Sequence, residues 1–241
     1  MNSPQISVVI PVYNEEENLR ELFQELKGVL EGINLPFEII FIDDGSQDQS
    51  GKILKDFAEK DKRVKVIFFE KNSGQSAAFA AGFRLAKGEV VITMDADLQN
   101  DPHDIPRLLE KIREYDVVCG WRAKRQDSLV RRLSSRIANR VRNWLSEEDI
   151  RDVGCSLKAF RRDCSQCFPY FNGMHRFFPT LIKMCGYSVT EIKVNHRPRK
   201  FGEAKYGITN RAFRGLVDLL AVRWMKRRKL NYKIKEIINA E

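Results

Sequence analysis

The sequence predicts an α/β fold: a mainly parallel sheet with helices on both faces, plus a basic amphipathic helix at the C-terminal end. Three observations carry this. Through the first 120 residues, short β-rich apolar runs alternate with helical patterns, as in a parallel sheet buried on both sides. The first four runs each end in a polar cluster. The net charge of +9 over 241 residues is unevenly placed.

Strands are expected over residues 6–10, 37–42, 64–69, 90–94 and 116–119, with helices near 15–31, 50–60, 74–87 and 104–114. The first helix shows a 3.6-residue apolar stripe of Leu19, Leu22, Phe23, Leu26, Val29 and Leu30. Beyond residue 120 the alternation weakens. An Arg-rich helical segment is expected over 128–145, a strand over 188–194, a loop over 196–207 and one or two helices over 208–238. The expected division is one α/β domain over 1–210 and a helical segment over 211–241.

Composition removes several classes. Apolar residues are 43% and charged residues 31%, too apolar a balance for disorder. No charge-free run approaches the ~18 residues that span a bilayer, and the N-terminus lacks the pattern of a secretory signal. The five irregularly spaced cysteines fit buried free thiols in a reducing cytoplasm, and Cys164-x-x-Cys167 has no partner pair for zinc. There is no GKS or GKT phosphate loop and no GxGxxG. Residues 1–121 carry a net charge of −8, 122–142 carry +7, 143–194 carry +1, 195–235 carry +11 and the last six −2. The basic excess suits an anionic partner, but it faces an acidic half, which argues against nucleic acid.

The polar clusters Pro11-Val12-Tyr13-Asn14-Glu15, Asp43-Asp44-Gly45-Ser46, Asn72-Ser73-Gly74 and Asp95-Ala96-Asp97 all follow strands, the edge where open α/β sheets bind ligands. In extended backbone Asp95 and Asp97 point to one side, so both carboxylates can share Mg²⁺ or Mn²⁺, with Gln99 as a further oxygen donor. The competing role is turn and cap chemistry, which suits Asn100 or Asp101. Asp43 and Asp44 fit a turn or a bond to a base or ribose, with Asp44 the better nucleotide contact and Ser46 or Asp48 a helix cap. Asn14 with Glu17 fits a capping box, while Pro11 and Tyr13 fit a wall for a planar base. The Ala-rich stretch after Gly74 fits tight helix–sheet packing. Arg131, Ser135, Asn139 and Arg142 share one helical face and suit phosphate. Phe213, Leu216, Val217, Leu220 and Trp224 form an apolar stripe beside cations, fitting either a helix in a membrane interface or one docked on the core.

PVYNEEENL, DDGSQD, NSGQSAAFAAGF, DADLQNDP, the GWR–RR–SSR–AN segment, DVGCSLKAFRRD and HRPRKFGEAKYG together resemble the family 2 glycosyltransferases of the GT-A (Rossmann-like) fold. Within that family the likeness is to the dolichol-phosphate mannose synthase and undecaprenyl-phosphate sugar transferase group, and it covers about residues 5–210. The resemblance implies inverting transfer of a sugar from a nucleoside-diphosphate donor to a polyprenyl phosphate. It implies that Pro11, Tyr13, Glu15 and Asp44 hold the nucleotide, with Asp95, Asp97 and Gln99 around Mg²⁺ or Mn²⁺. Arg122, Arg131 and Ser135 would meet the donor or acceptor phosphate, Arg199 and Lys205 would close the site, and Asp152 would lie on the acceptor side. Many undecaprenyl-phosphate members continue into transmembrane helices and this chain shows none, so the expectation is peripheral attachment to the cytoplasmic face of an anionic membrane through 211–235. A membrane-protein partner or a second copy stays open. Rival readings are a soluble transferase with a hydroxyl acceptor, a non-catalytic nucleotide-sugar sensor and a nucleic-acid binder.

Overall fold

A computed structural model of the chain describes residues 3–122, 150–200, 208–230 and 236. Seven strands form one sheet in the order β3-β2-β1-β4-β6-β5-β7. They are β1 (Ile6–Val12), β2 (Phe37–Asp43), β3 (Val64–Phe68), β4 (Val90–Thr93), β5 (Val117–Arg122), β6 (Lys158–Arg161) and β7 (Val189–Val194). All neighbours run parallel except at β6, which is antiparallel to both β4 and β5. β6 is the strand the sequence pattern does not announce: it has four residues and opens on a lysine, so it makes no apolar run.

The helices are α1 (Leu19–Ile33), α2 (Ser50–Lys60), α3 (Gln75–Leu85), α4 (Ile105–Lys111), α5 (Phe178–Met184) and α6 (Ile208–Arg227). α1, α2 and α4 supply Leu22, Leu26, Leu54, Phe57 and Leu108 to the core on one face of the sheet. α3, α5 and α6 supply Phe79, Phe83, Leu181, Leu219 and Val222 to the core on the other. The sheet is therefore covered on both sides, which explains strands such as β2 that are buried at every position. The small residues of α3 do serve packing: a Cβ on Gly82 would collide with Cγ1 of Val9 in β1.

At the amino ends of the strands, buried Glu38 accepts hydrogen bonds from Ser7 Oγ at 2.6 Å and from the Lys87 backbone N–H at 2.8 Å, and pairs with Lys65. Burial alone would push its carboxyl up, but Lys65, Ser7 and Lys87 together hold it below its ordinary value. A depressed carboxylate stabilises the fold above its unfolded value and loses that contribution as pH falls through the folded one. Glu38→Gln is therefore expected to lower stability at pH 7 by roughly 3 kcal/mol. Urea melts should show this gap narrowing below about pH 4.5; a gap that is the same at pH 7 and pH 4 would refute the charge-based account.

Candidate active site

The loops after β1 and β2 are sewn together. The Asn14 N–H donates to Ser46 Oγ at 2.9 Å, and the Gln47 N–H donates to Asn14 Oδ1 at 2.8 Å. Asn14, with φ of +52°, is thus a cross-loop bridge and not the helix cap the sequence suggests. α1 starts later, at Leu19 after Asn18, whose amide donates to Glu15 Oε2 at 2.6 Å. The residue capping α2 is Gln49, not Ser46 or Asp48 as expected; Asp48 sits one position earlier and accepts from the Ser50 N–H at 2.9 Å. Gly45 has φ of +71°, and a Cβ there would lie 2.6 Å from the carbonyl carbon of Lys71, so only glycine lets the loops after β2 and β3 close. Pro11 sits on β1 opposite Ile42, and Tyr13 follows the strand end.

Asp44 already has work inside the protein. Its two carboxylate oxygens accept the N–H groups of Ser73 and Gly74 at 2.6 and 2.9 Å, fastening the turn that starts α3. Its carboxyl lies above the ordinary range because it is buried and beside Asp43, which outweighs those two bonds. Each oxygen keeps a second lone pair on which a ligand hydroxyl can bond.

β4 ends at Thr93, so Asp95 and Asp97 do not lie on extended strand as the i, i+2 spacing implies. They sit in a bend that passes through Leu98, a buried residue with φ of +61°. Non-glycine residues take that conformation only where their surroundings enforce it. The Asp95 N–H donates to Asn100 Oδ1 at 3.0 Å, and the Gln99 N–H donates to Asp97 Oδ1 at 3.2 Å. The two carboxylates remain close: burial first, then the charge of Asp97, push Asp95 up to about 6, against bonding by Ser156 and the charges of Lys158 and Arg122. Hard oxygen donors crowded until one resists ionising are a fit for a divalent cation.

A cation does stand there, from the protein itself. Arg199 Nη2 bonds Asp97 Oδ2 at 2.8 Å. It is carried in by a short extended stretch in which Asn100 bridges His196 and the Arg197 N–H donates to Gln99 O at 3.0 Å. Asp104 and Asp101 hold the same stretch through Asn195 and Arg197. Glu25, Asp101 and His103 bring ligand-type atoms within 4.8 Å of one another, but Arg197 lies on Glu25 and Asp101 with three bonds of 2.7–2.8 Å and supplies the countercharge.

Arg122, expected at the donor or acceptor phosphate, and Asp152, expected on the acceptor side, meet each other. Arg122 Nε and Nη2 bond the two Asp152 oxygens at 2.7 and 2.9 Å, both side chains being largely buried. Glu191 Oε1 accepts the Asp152 N–H at 3.0 Å. Arg131, Ser135 and Lys205 lie outside the described residues. Three residues that lie inside the motifs but were given no role there also build the site: Gln75 Nε2 bonds Asp95 Oδ1 at 2.7 Å, Ser156 Oγ bonds Asn100 Oδ1 at 2.7 Å, and buried Lys158 closes on the Val153 and Cys155 carbonyls. The sequence signal for Ser156 and Lys158 is their place in DVGCSLKAFRRD, since the strand that Lys158 opens makes no apolar run.

An acidic centre with polar loops gathered around it, at the carboxyl edge of a mainly parallel sheet, defines an α/β protein that binds its ligand across the strand ends. Comparison supplies the family. The model for Glycosyl transferase family 2 matches residues 7–168, and the chain belongs to that family. It is 41% identical over 217 residues to an undecaprenyl-phosphate 4-deoxy-4-formamido-L-arabinose transferase from Pectobacterium carotovorum, covering 89% of this chain and 65% of the relative. A protein of the same name from Yersinia enterocolitica is 39% identical over 206 residues, covering 85% and 63%. The chain thus spans just under two thirds of the length of these relatives. Among solved structures, glucosyl-3-phosphoglycerate synthase from Mycobacterium tuberculosis with Mn²⁺, UDP and phosphoglyceric acid superposes with a TM-score of 0.70 at 17% identity, over 91% of this chain and 78% of that one. A Pyrobaculum calidifontis mannosyltransferase with GDP-Man and Mn²⁺ gives 0.62 at 18%, over 96% and 66%. Both show the fold.

Proposed function

We propose that the protein transfers a sugar, with inversion, from a nucleoside-diphosphate donor to a polyprenyl phosphate, with undecaprenyl phosphate the first acceptor to test. The observation that carries the chemistry is the Asp95–Asp97 pair, set in an enforced bend and faced by Arg199. Asp95, Asp97 and Gln99 would hold Mg²⁺ or Mn²⁺, which offsets charge on the diphosphate leaving group. Tyr13, Pro11 and Glu15 would border the nucleoside, and Asp44 would bond it while keeping α3 in place. Arg199 has a second anion to turn to once Asp97 binds metal. The acceptor oxygen belongs to a phosphate monoester, whose second pKa of about 6 leaves it mostly ionised at pH 7. A strong general base is therefore not needed, consistent with a chain that has three histidines. The acceptor named for the relatives supports the lipid reading.

The setting we propose is the cytoplasmic face of an anionic membrane. Among the described residues no helix is long and apolar enough to cross one. α6 buries Leu219 and Val222, while Leu216, Val217, Leu220 and Trp224 stay 47–62% exposed on its other side, followed by exposed Arg227, Arg228 and Lys229. An apolar stripe beside cations suits an interface of lipid tails and anionic headgroups. One experiment tests both parts. Labelled sugar from a panel of nucleotide donors should enter organic-extractable lipid on phosphatidylglycerol vesicles loaded with undecaprenyl phosphate, and Leu220→Asp with Trp224→Asp should release the protein from those vesicles. Label entering soluble saccharides alone would overturn the acceptor, and undiminished sedimentation of the double variant would overturn the surface.

A further inference from the structure

The five cysteines do not share the one environment that their spacing suggests. Cys119, Cys155 and Cys164 are buried, whereas Cys167 and Cys185 are half-buried. The half-buried two are also the two that meet. Cys185 Sγ donates to the Cys167 carbonyl at 2.9 Å, and Cys167 Sγ donates to the Cys164 carbonyl at 3.2 Å. Burial, and next a hydrogen bond between the two thiols, hold the Cys167 thiol well above its ordinary value.

Local structure brings them together. Cys167 ends the 3-10 turn Arg162–Gln166 and Cys185 ends α5, each in right-handed helical backbone with φ of −82° and −75°. The turn follows β6 directly, and α5 leads into β7. Both thiols therefore sit where a helical stretch finishes, beside carbonyls that regular helix bonding leaves over.

The chain between them is an excursion that covers α3. Phe178 packs on Phe79 and Phe83 with ring centroids at 5.7 and 5.5 Å. The Gly173 N–H donates to Ser76 Oγ at 2.9 Å, and His175 Nδ1 lies 2.7 Å from the same oxygen. The two cysteines stand at the two ends of this cover, 18 positions apart in sequence. A bond across the ends of such a loop stabilises mainly by restricting the unfolded chain.

We propose that Cys167 and Cys185 form a reversible disulfide that ties the ends of residues 168–184 and makes the cover of α3 respond to the thiol–disulfide poise of the surroundings. The oxidant is a small-molecule disulfide. One cysteine, as thiolate, attacks a sulfur of that disulfide, forming a mixed disulfide and releasing one small thiol. The other cysteine, as thiolate, attacks the protein sulfur of the mixed disulfide and releases the second small thiol. The protein loses two electrons and two protons, and the oxidant gains both. Cys167 stays protonated at pH 7, so the exchange is slow and the bridge follows a sustained poise, not a brief pulse. Sugar transfer plays no part in this step.

The test holds the full chain overnight in oxidised glutathione or in dithiothreitol, unfolds it in N-ethylmaleimide and weighs it by mass spectrometry. The reduced protein should take five labels and the oxidised protein three, with one peptide pair linked through Cys167 and Cys185. The oxidised protein should melt about 5 °C or more above the reduced one, and dithiothreitol should reverse the shift. These readings need no variant. Cys167→Ser with Cys185→Ser should take three labels in both buffers and lose the shift, its melting in dithiothreitol showing that it is folded. Five labels after oxidation, a glutathione adduct that stays unbridged, or a link through Cys164 would overturn the pairing. A bridge that leaves the melting temperature unchanged or lower would overturn the tie.

Discussion

Asp97→Asn is expected to reduce sugar transfer about a thousandfold or more, equivalent to some 4 kcal/mol of transition-state stabilisation, while leaving the melting temperature within a few degrees. The fold tolerates the change because the Asp97 side chain supports little else: one oxygen takes the Gln99 N–H, which an amide oxygen can also accept, and the other holds Arg199 at the surface of the site. Metal affinity should fall in parallel, read as loss of the thermal shift that Mn²⁺ gives the unaltered protein. That shift should also depend on pH. With Asp95 raised to about 6 by burial and by Asp97, protons compete with the metal below that value, so the Mn²⁺ effect shrinks as pH drops from 7 to 5. Transfer within tenfold of the unaltered rate in the Asn variant would remove the pair from the chemistry.

Asp152→Ala should be damaging for a different reason. It strands the Arg122 guanidinium, which is largely buried and held by both Asp152 oxygens. Breaking one side of such a pair costs roughly 3–5 kcal/mol, whereas exchanging both partners for apolar residues of similar size is often nearly neutral. Chemical denaturation should therefore place Asp152→Ala far below the parent, and Arg122→Met with Asp152→Leu close to it. Activity separates the roles. A double variant that regains stability but not transfer assigns the pair a part in substrate handling; one that regains both makes it a structural clasp and removes both residues from the site.

Much of this architecture is written in local pattern. β1 and β2 are legible because they are buried on both faces, so apolarity alone marks them. The polar clusters are legible as an edge because each follows a strand. What escapes is whatever depends on partners far along the chain. Arg122 and Asp152 are 30 residues apart, and nothing in either neighbourhood says that they pair. Asn14 has the neighbours of a helix cap, yet its side chain is spent on Gln47, 33 positions away. Asp44 looks like a ligand contact and also serves as an anchor for Ser73 and Gly74. For α6 the pattern marks an apolar stripe but not its direction; Leu219 and Val222 are buried while Leu216, Val217, Leu220 and Trp224 of the stripe are exposed.

The reversed direction of β6 carries one more consequence. β5 finishes and β6 begins at the same edge, and the Arg122–Asp152 clasp joins the two points. Arg122 and Asp152, the residues that leave β5 and lead into β6, are therefore held together at one point beside the acidic centre. The clasp thereby supplies fixed ends, and the entropy cost of joining fixed ends rises only slowly with the number of residues between them, by about 0.6 kcal/mol per doubling.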